Sequence, residues 1–327
     1  MVLTISEALD EMQLHMMAAN LSQNTINDYN NGYRKFSDYI TNHSKHTLNT
    51  HISDLKTRDG TLFMRHLATH EYTPGGTAKR KPLILSPKSR LNIHAALSSL
   101  WTMLLEDEFV ESNIWEKVKR PKQQQKEQEP LNENEITALL SACKMTRTWH
   151  NKPLTQTKRL TATRDEALIS LMLSSAIRVS ELCDLKRHHI NLSANTVYVE
   201  LGKGKKSRTI PLGGRSTRNR IRKWYQERND KSDYAFVSVK GGHTGEQMKR
   251  GAVLNVIKRL AKKAGIQRNV YPHLLRHTAL TLLAKGGATQ FQLMAVAGHT
   301  HPSMTAKYIK LAAITNTQNL PRPIDNI

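Results

Sequence analysis

One short segment governs how this chain can fold. Arg120-Pro121-Lys122 leads into QQQKEQE and ends at Pro130, a run with no large apolar side chain. Such a stretch cannot bury surface against a core, so residues 121–130 read as a linker. Helical periodicity lies on both sides of it. The 327 residues are therefore expected to divide into a first domain over 1–120 and a second beginning at Leu131. The hydrophobic share, 38%, suffices for two cores although the mean hydropathy is −0.54.

The first domain reads as all-helical. Ile5, Leu9, Met12 and Met16 fall at helical spacing, and Ser22 or Asn24 can cap a second helix with the stripe Ile26, Tyr29, Tyr33, Phe36 and Ile40. Ile52 and Leu55 mark a short helix, and Leu62, Phe63 and Leu67 another over 61–70. TPGGTAKRKPLILS reads as a loop with a basic patch at Lys79, Arg80 and Lys81. A long helix follows from Pro87, with Leu91, Leu97, Leu100 and Leu104 inward. Trp101, Trp115 and the methionines are core candidates.

Beyond the linker, Asn132 with Glu135 three residues on forms a capping box, ahead of Ile136, Leu139 and Leu140. Residues 144–162 interrupt the pattern as a basic insertion, open to DNA contact, to a neighbouring subunit or to no role. Arg164 opens a helix through Leu173. Ser180 reads as the N-cap of the next, with Glu181 supporting that cap or orienting local groups. KRHHIN, holding His188 and His189, reads as a solvated turn. TVYVEL over 196–201 and SRTIPL over 207–212 are strands around Gly202-Lys203-Gly204-Lys205-Lys206. A basic helix over 215–231, a short strand over 234–239 and a helix over 249–264 complete the middle.

Charge narrows the partner. Lys and Arg number 49 against 27 Asp and Glu, a formal +22. That excess points to a polyanion, nucleic acid first. No apolar run is long enough to cross a membrane, and the N-terminus lacks the basic start and apolar core of a signal peptide. Cys143 and Cys183 fit neither a disulfide framework nor a zinc site and read as small core residues in a reducing cytoplasm.

The densest chemistry lies in YPHLLRHTALTLLAKGGATQFQLMAVAGHTHPSMTAKY, Tyr271 to Tyr308. His273 and Arg276, three apart, share a helical face, and His277 follows. Gly286-Gly287 stops that helix. Phe291 to Ala297 forms a second apolar segment ending at Gly298-His299. Pro302 favours a new start, with Tyr308 about two turns on. Arginine matches phosphate oxygens with a planar fork of donors, histidine donates or moves protons near neutral pH, and tyrosine can be a covalent nucleophile. Together they suit attack by a phenol on a phosphodiester.

This segment resembles the second conserved box of the tyrosine recombinases, the phage integrase family: H-x-x-R, then G-H, then a nucleophilic tyrosine about nine residues on (308 − 299 = 9). SSAIRVSEL resembles the family's T-G-L-R-x-S-E-L, with Ser175-Ala176 in place of Thr-Gly, and makes Arg178 the first catalytic arginine. G-K-G-x-K-x-R-x-x-P-L resembles the family's β-hairpin, whose first lysine is catalytic. Lys203 is the match and Lys205 the alternative. The resemblance implies a mainly α fold: a helical core-binding domain, then an α+β catalytic domain over 131–313 with a small antiparallel sheet.

The same resemblance implies a catalytic set of Arg178, Lys203, His273, Arg276, His299 and Tyr308, with Tyr308 the nucleophile. Lys79, Arg80, Lys81, Lys88, Arg90 and Lys205 are candidate DNA contacts. It implies recombination of double-stranded DNA through a 3′-phosphotyrosyl link and a Holliday junction, by a homotetramer with a dimer on each site. Integration, excision and resolution are all open, as is help from accessory proteins. No metal or cofactor is expected. The tail 314–327 would dock on a neighbouring subunit. A type IB topoisomerase or a non-catalytic DNA-binding relative are the alternatives.

Overall fold

The computed structural model describes residues 2–73, 82–122, 129–144, 161–200, 207–239, 242 and 244–318. The chain forms two compact units, Met1–Lys126 and Glu127–Ile327.

In the first unit, α1 (Ile5–Ala18) opens at Thr4, whose hydroxyl accepts from Glu7 N at 3.3 Å while the Glu7 carboxylate accepts from Thr4 N at 2.8 Å. Ser22 caps α2 (Gln23–His43), and Ser86 caps α4 (Pro87–Glu106), which has proline in its first turn. Between them lies α3 (Thr57–Thr69). The core is aromatic. Phe36 meets Phe63 and Trp101 edge-on at centroid distances of 5.2 and 6.2 Å, and Phe63 meets Trp115 at 6.4 Å. α2 crosses α4 closely at Gly32, where a Cβ would lie 3.3 Å from that of Ala96.

Some details differ from the sequence reading. α3 starts four residues earlier than 61, because Asp59 accepts from Lys56 N at 2.9 Å and fixes the helix start there. Leu62, expected inward, is 39% exposed, since Phe63 and Leu67 occupy the buried face. The unit also carries a two-residue ladder, β1 (Glu71–Tyr72) against β2 (Leu83–Ile84), so part of the segment 73–86 read as loop is a strand, where Leu83 and Ile84 pair back onto Tyr72 and Glu71. Lys79, Arg80 and Lys81 lie outside the described residues.

The second unit begins with α5 (Glu133–Lys144), capped by Asn132 and Glu135 with mutual bonds of 2.9 Å, as the capping box requires. α6 (Ala162–Ser175) packs against α5, α8 (Arg215–Glu227) and α10 (Pro272–Lys285), and is buried on nearly every face. It therefore buries charge: Asp165 accepts from Arg164 at 2.6 Å and from Arg259 of α9 (Arg250–Lys263) at 3.0 Å. α7 (Val179–Asp184) precedes an antiparallel sheet of order β3 (Ile190–Asn191), β4 (Thr196–Val199), β5 (Arg208–Pro211), with Val197 opposite Ile210. α11 (Gln290–Ala297) and α12 (Ser303–Gln318) close the described chain. Cys143 and Cys183 are buried thiols.

Three readings change here. The residue capping α7 is Arg178, not Ser180: its backbone N donates to Glu181 Oε2 at 2.8 Å. His189 is buried rather than solvated, because the chain turns into β3 beneath it. Residues 234–239 form no named strand; they make isolated bridges, Tyr234 to Lys186 and Val237 to Gln247, since no long partner runs alongside. Lys203, Lys205 and most of the 144–162 insertion lie outside the described residues, as does the tail beyond Gln318, although α12 itself continues past residue 313.

Candidate functional site

The loop joining α11 to α12 is the organising piece. Gly298 ends α11 in the left-handed conformation, φ +59°, which glycine adopts without a Cβ penalty. The turn exposes carbonyls and the His299 ring towards the start of α7 and the face of α10. Arg276 reaches across from α10, where its Nη1 donates to Ala176 O at 2.7 Å and its Nη2 to Ala297 O at 2.6 Å. Arg178 donates to Gly298 O at 2.9 Å. Ala176, at φ +52°, ends α6 and turns its carbonyl to Arg276.

His299 lies between these groups. Arg276 Nη2 is 3.2 Å from His299 Nε2, and His299 Nδ1 is 2.8 Å from Thr305 Oγ1 on α12. A guanidinium can only donate, so Nε2 accepts. The proton of the neutral ring is then on Nδ1, which donates to Thr305. Burial, followed by Arg276 and Arg178, pushes the His299 pKa down to about 4, so neutrality is its state at physiological pH.

Glu181 is the only carboxylate tied to this group among the described residues. It accepts from Arg178 Nη1 at 2.8 Å and from both terminal nitrogens of Arg208, whose Nε also donates to Val296 O at 3.0 Å. Burial raises its pKa, but the Arg208 and Arg178 bonds outweigh that and hold it at about 2. Three guanidinium charges against one carboxylate leave an excess of two. Burial, then Arg178, lowers even Arg276 to about 10. Such a concentration of fixed donors and positive charge suits an anion with several oxygens, such as a phosphodiester.

Tyr308 lies on the inner side of α12, 2% exposed, in a small core with Ala279, Leu280, Leu293 and Ala297. Its ring meets that of His277 edge-on at 5.3 Å, and Lys307 Nζ lies 4.9 Å from its centroid. Burial raises its pKa, with Arg276 opposing. His273 is exposed on α10, and its pKa is lowered by desolvation, then by Lys307 and the two arginines. Thus Arg178, Arg276 and His299 meet on one loop, with His273 on α10 and Tyr308 on α12. Lys88 and Arg90 start α4 in the first unit, exposed and half-buried respectively.

Sequence reasoning gave no role to Arg208, Thr305 or His277. Arg208 is the arginine of the G-K-G-x-K-x-R pattern, and its place in that pattern was the available signal. Thr305 carried none. His277 was visible beside His273 but its contact with Tyr308 depends on how α10 and α12 pack.

Comparison with known proteins places the chain. The sequence model of the phage integrase family matches residues 129–314. The tyrosine recombinase of Thermosipho africanus is 27% identical over 291 residues, covering 89% of this chain and 90% of that protein. Tyrosine recombinase XerC of Bacillus pumilus is 31% identical over 222 residues, covering 65% and 67%. Two solved structures share the fold. One is the Tn1549 transposon integrase in complex with transposon right-end DNA, with TM-score 0.72, 17% identity, and coverage of 97% of this chain and 99% of that one. The other is lambda integrase as a tetramer on a Holliday junction, with TM-score 0.69, 16% identity and coverage of 94% and 77%.

Proposed function

The chain belongs to the phage integrase family and is a tyrosine-type site-specific recombinase, and from that premise we propose that it cuts and rejoins double-stranded DNA through a covalent bond to Tyr308. The observation that carries this reading is the convergence of Arg178, Arg276 and His299 on the loop immediately before the helix that bears Tyr308.

Arg178 and Arg276 hold the non-bridging oxygens of the scissile phosphate, offsetting charge as the transition state forms. The phenol oxygen of Tyr308 bonds to phosphorus and the bond to the 5′-oxygen breaks, leaving a 3′-phosphotyrosyl link. His273 takes the phenol proton. Lys203 gives a proton to the departing 5′-oxygen, with Lys205 the alternative. His299 orients Arg276 and, once phosphate replaces that contact, can add to the oxyanion site only after Nε2 gains a proton. One phosphoester replaces another, so the bond energy is retained for rejoining. The 5′-hydroxyl of a partner strand reverses the step. Four protomers act pairwise through a Holliday junction, as the tetrameric assembly of the lambda relative supports. Lys79, Arg80, Lys81, Lys88 and Arg90 contact phosphates from the first unit.

Tyr308 is buried and its phenol is held in the protonated form. DNA binding must therefore bring the phosphate to the hydroxyl or move α12 outward. The test uses nicked suicide substrates built from candidate core sites, with wild type and Tyr308→Phe compared on a denaturing gel. A protein–DNA adduct in wild type alone is the expected result. An adduct in the Phe variant removes Tyr308 as nucleophile, and tight DNA binding without any wild-type adduct overturns the catalytic reading.

A further inference from the structure

Three histidines of the first unit gather at one end of the α2–α3 pair. His43 is the last residue of α2, His66 lies in the last turn of α3, and His70 follows directly after that helix. His66 and His70 are four apart, so they share a face. Each residue places one ring nitrogen within 4.8 Å of the others'. The ring centroids are 4.5 Å apart for His43 and His66, 4.4 Å for His66 and His70, and 5.3 Å for His43 and His70. None of the three rings has a hydrogen-bond partner among the described residues.

We infer that His43, His66 and His70 form a binding site for a divalent transition-metal ion, Zn2+ in the first instance, tying the end of α2 to the end of α3. The site belongs wholly to the first unit and uses none of the residues assigned to recombination.

The chemistry of the donors selects the ion. Neutral imidazoles suit zinc, copper and nickel, whereas calcium and magnesium need oxygen ligands that this cluster lacks. Zinc–nitrogen bonds of about 2.0–2.1 Å put tetrahedral ligands roughly 3.3 Å apart, so the nitrogens must close by at most about 1.5 Å. His43 and His70 are exposed, and rotation of their side chains supplies that movement. Three ligands leave the fourth position to water. Tyr39 and Tyr72 pack against the group, with ring centroids 5.0 Å from those of His66 and His70 respectively. Two opposite charges flank Tyr72: Lys35 Nζ is 4.2 Å from its ring centroid, and Asp38 is close enough to raise its pKa.

The competing explanation is aromatic packing, in which the imidazoles serve only as flat rings. Phenylalanine keeps the ring and removes the ligand. Tag-free full-length protein is titrated with Co2+, followed by visible absorption, and with Zn2+ by calorimetry. One equivalent should bind in wild type with a tetrahedral Co2+ spectrum. His66→Phe should weaken it on the order of 100-fold or more, since even outer-shell partners of a metal are worth about 10–100-fold. Zn2+ should raise the thermal midpoint of wild type and leave that of His66→Phe unmoved. Should the Phe variant fail to fold, X-ray absorption of zinc-loaded wild type counts the imidazole ligands directly. No saturable binding, equal binding in His66→Phe, or a zinc shell with fewer than three imidazoles each overturns the site.

Discussion

Arg208 clasps Glu181 with both terminal nitrogens, Nη1 to Oε1 at 3.0 Å and Nη2 to Oε2 at 2.9 Å, although the two are 27 residues apart. The same carboxylate holds Arg178, which is otherwise bound only to Gly298 O among the described residues. Glu181 therefore sets the spacing of two cations that would otherwise repel one another.

Removing that carboxylate should be costly. Glu181→Ala leaves two partly buried guanidinium groups unpaired, a situation that typically costs about 3–5 kcal/mol. For a unit of this size that is a fall of roughly 10 °C in thermal midpoint. Glu181→Gln keeps the shape and loses the charge. Its stability should also lose a pH dependence expected of wild type. The Glu181 pKa falls from an ordinary 4.5 to about 2, so its contribution is full above pH 4.5 and lost as pH drops towards 2. The span amounts to at most about 3 kcal/mol, less where solvent screens the pair. Urea midpoints of both proteins between pH 2 and 5 measure it. Parallel curves would show that Glu181 is not the group responsible.

The histidines lose stability on acidification too, but in a higher pH window. His277 and His299 are both pushed down to about 4, each by burial first, then by Lys307 for His277 and by Arg276 for His299. The unfolded chain takes up protons near 6.5, while the folded unit does not until about 4. Stability is therefore whole above pH 6.5 and is lost as pH falls from 6.5 to 4. His66 in the first unit adds to the same limb, being lowered to about 4 by burial and then His70. Denaturant midpoints should begin to fall below pH 6.5, well before carboxylates titrate. His277→Gln should flatten part of the limb. A plateau reaching down to pH 5 would contradict the assigned neutrality.

Gly298 separates strain from function. At φ +59° an added Cβ would lie 3.0 Å from Arg208 Nη1 and 3.3 Å from Arg178 Nη1. Gly298→Ala should cost about 1–2 kcal/mol in stability for the left-handed backbone. The larger effect should be on chemistry, because both guanidinium groups must shift. Adduct formation should slow at least about tenfold, which is ~1.4 kcal/mol on the barrier. Gly298→Asn tolerates the backbone better but keeps the Cβ, so it should recover stability and not rate. Recovery of both would assign the whole effect to the backbone.

Much of this arrangement was readable in the sequence where interactions are local. Helical spacing gave the stripes of α1, α2 and α4, and Asn132 with Glu135 gave the start of α5. His273 and Arg276 could be placed on one face because three residues nearly complete a turn. The rest depends on distant partners. Residues 234–239 are rich in aromatic and β-branched side chains, as a strand would be, yet pair only by single bridges. Arg164 and Asp165 look like surface charges, but α6 is enclosed by three helices and buries them. The clasp of Glu181 by Arg208, and the meeting of His43 with His66, arise from packing between elements that local pattern does not reach.

Thr305 tests the tautomer of His299. Arg276 can only donate to Nε2, so the ring proton rests on Nδ1 and is held by Thr305 Oγ1 at 2.8 Å. Thr305 is fully buried. Thr305→Val preserves shape and removes the acceptor, leaving an N–H without its partner at a cost of about 1–3 kcal/mol. The ring can relieve this by moving its proton to Nε2, but that nitrogen then faces the Arg276 donors and the contact breaks. Thr305→Val should therefore lower adduct formation by loosening Arg276, with DNA binding little changed. Thr305→Ser keeps the hydroxyl and should restore the rate. Nitrogen-15 spectra of the His299 ring should show the Nδ1–H form in wild type and Thr305→Ser, and a mixed population in Thr305→Val. An Nε2–H ring in the wild-type protein would reverse the assignment and leave Arg276 without its histidine acceptor.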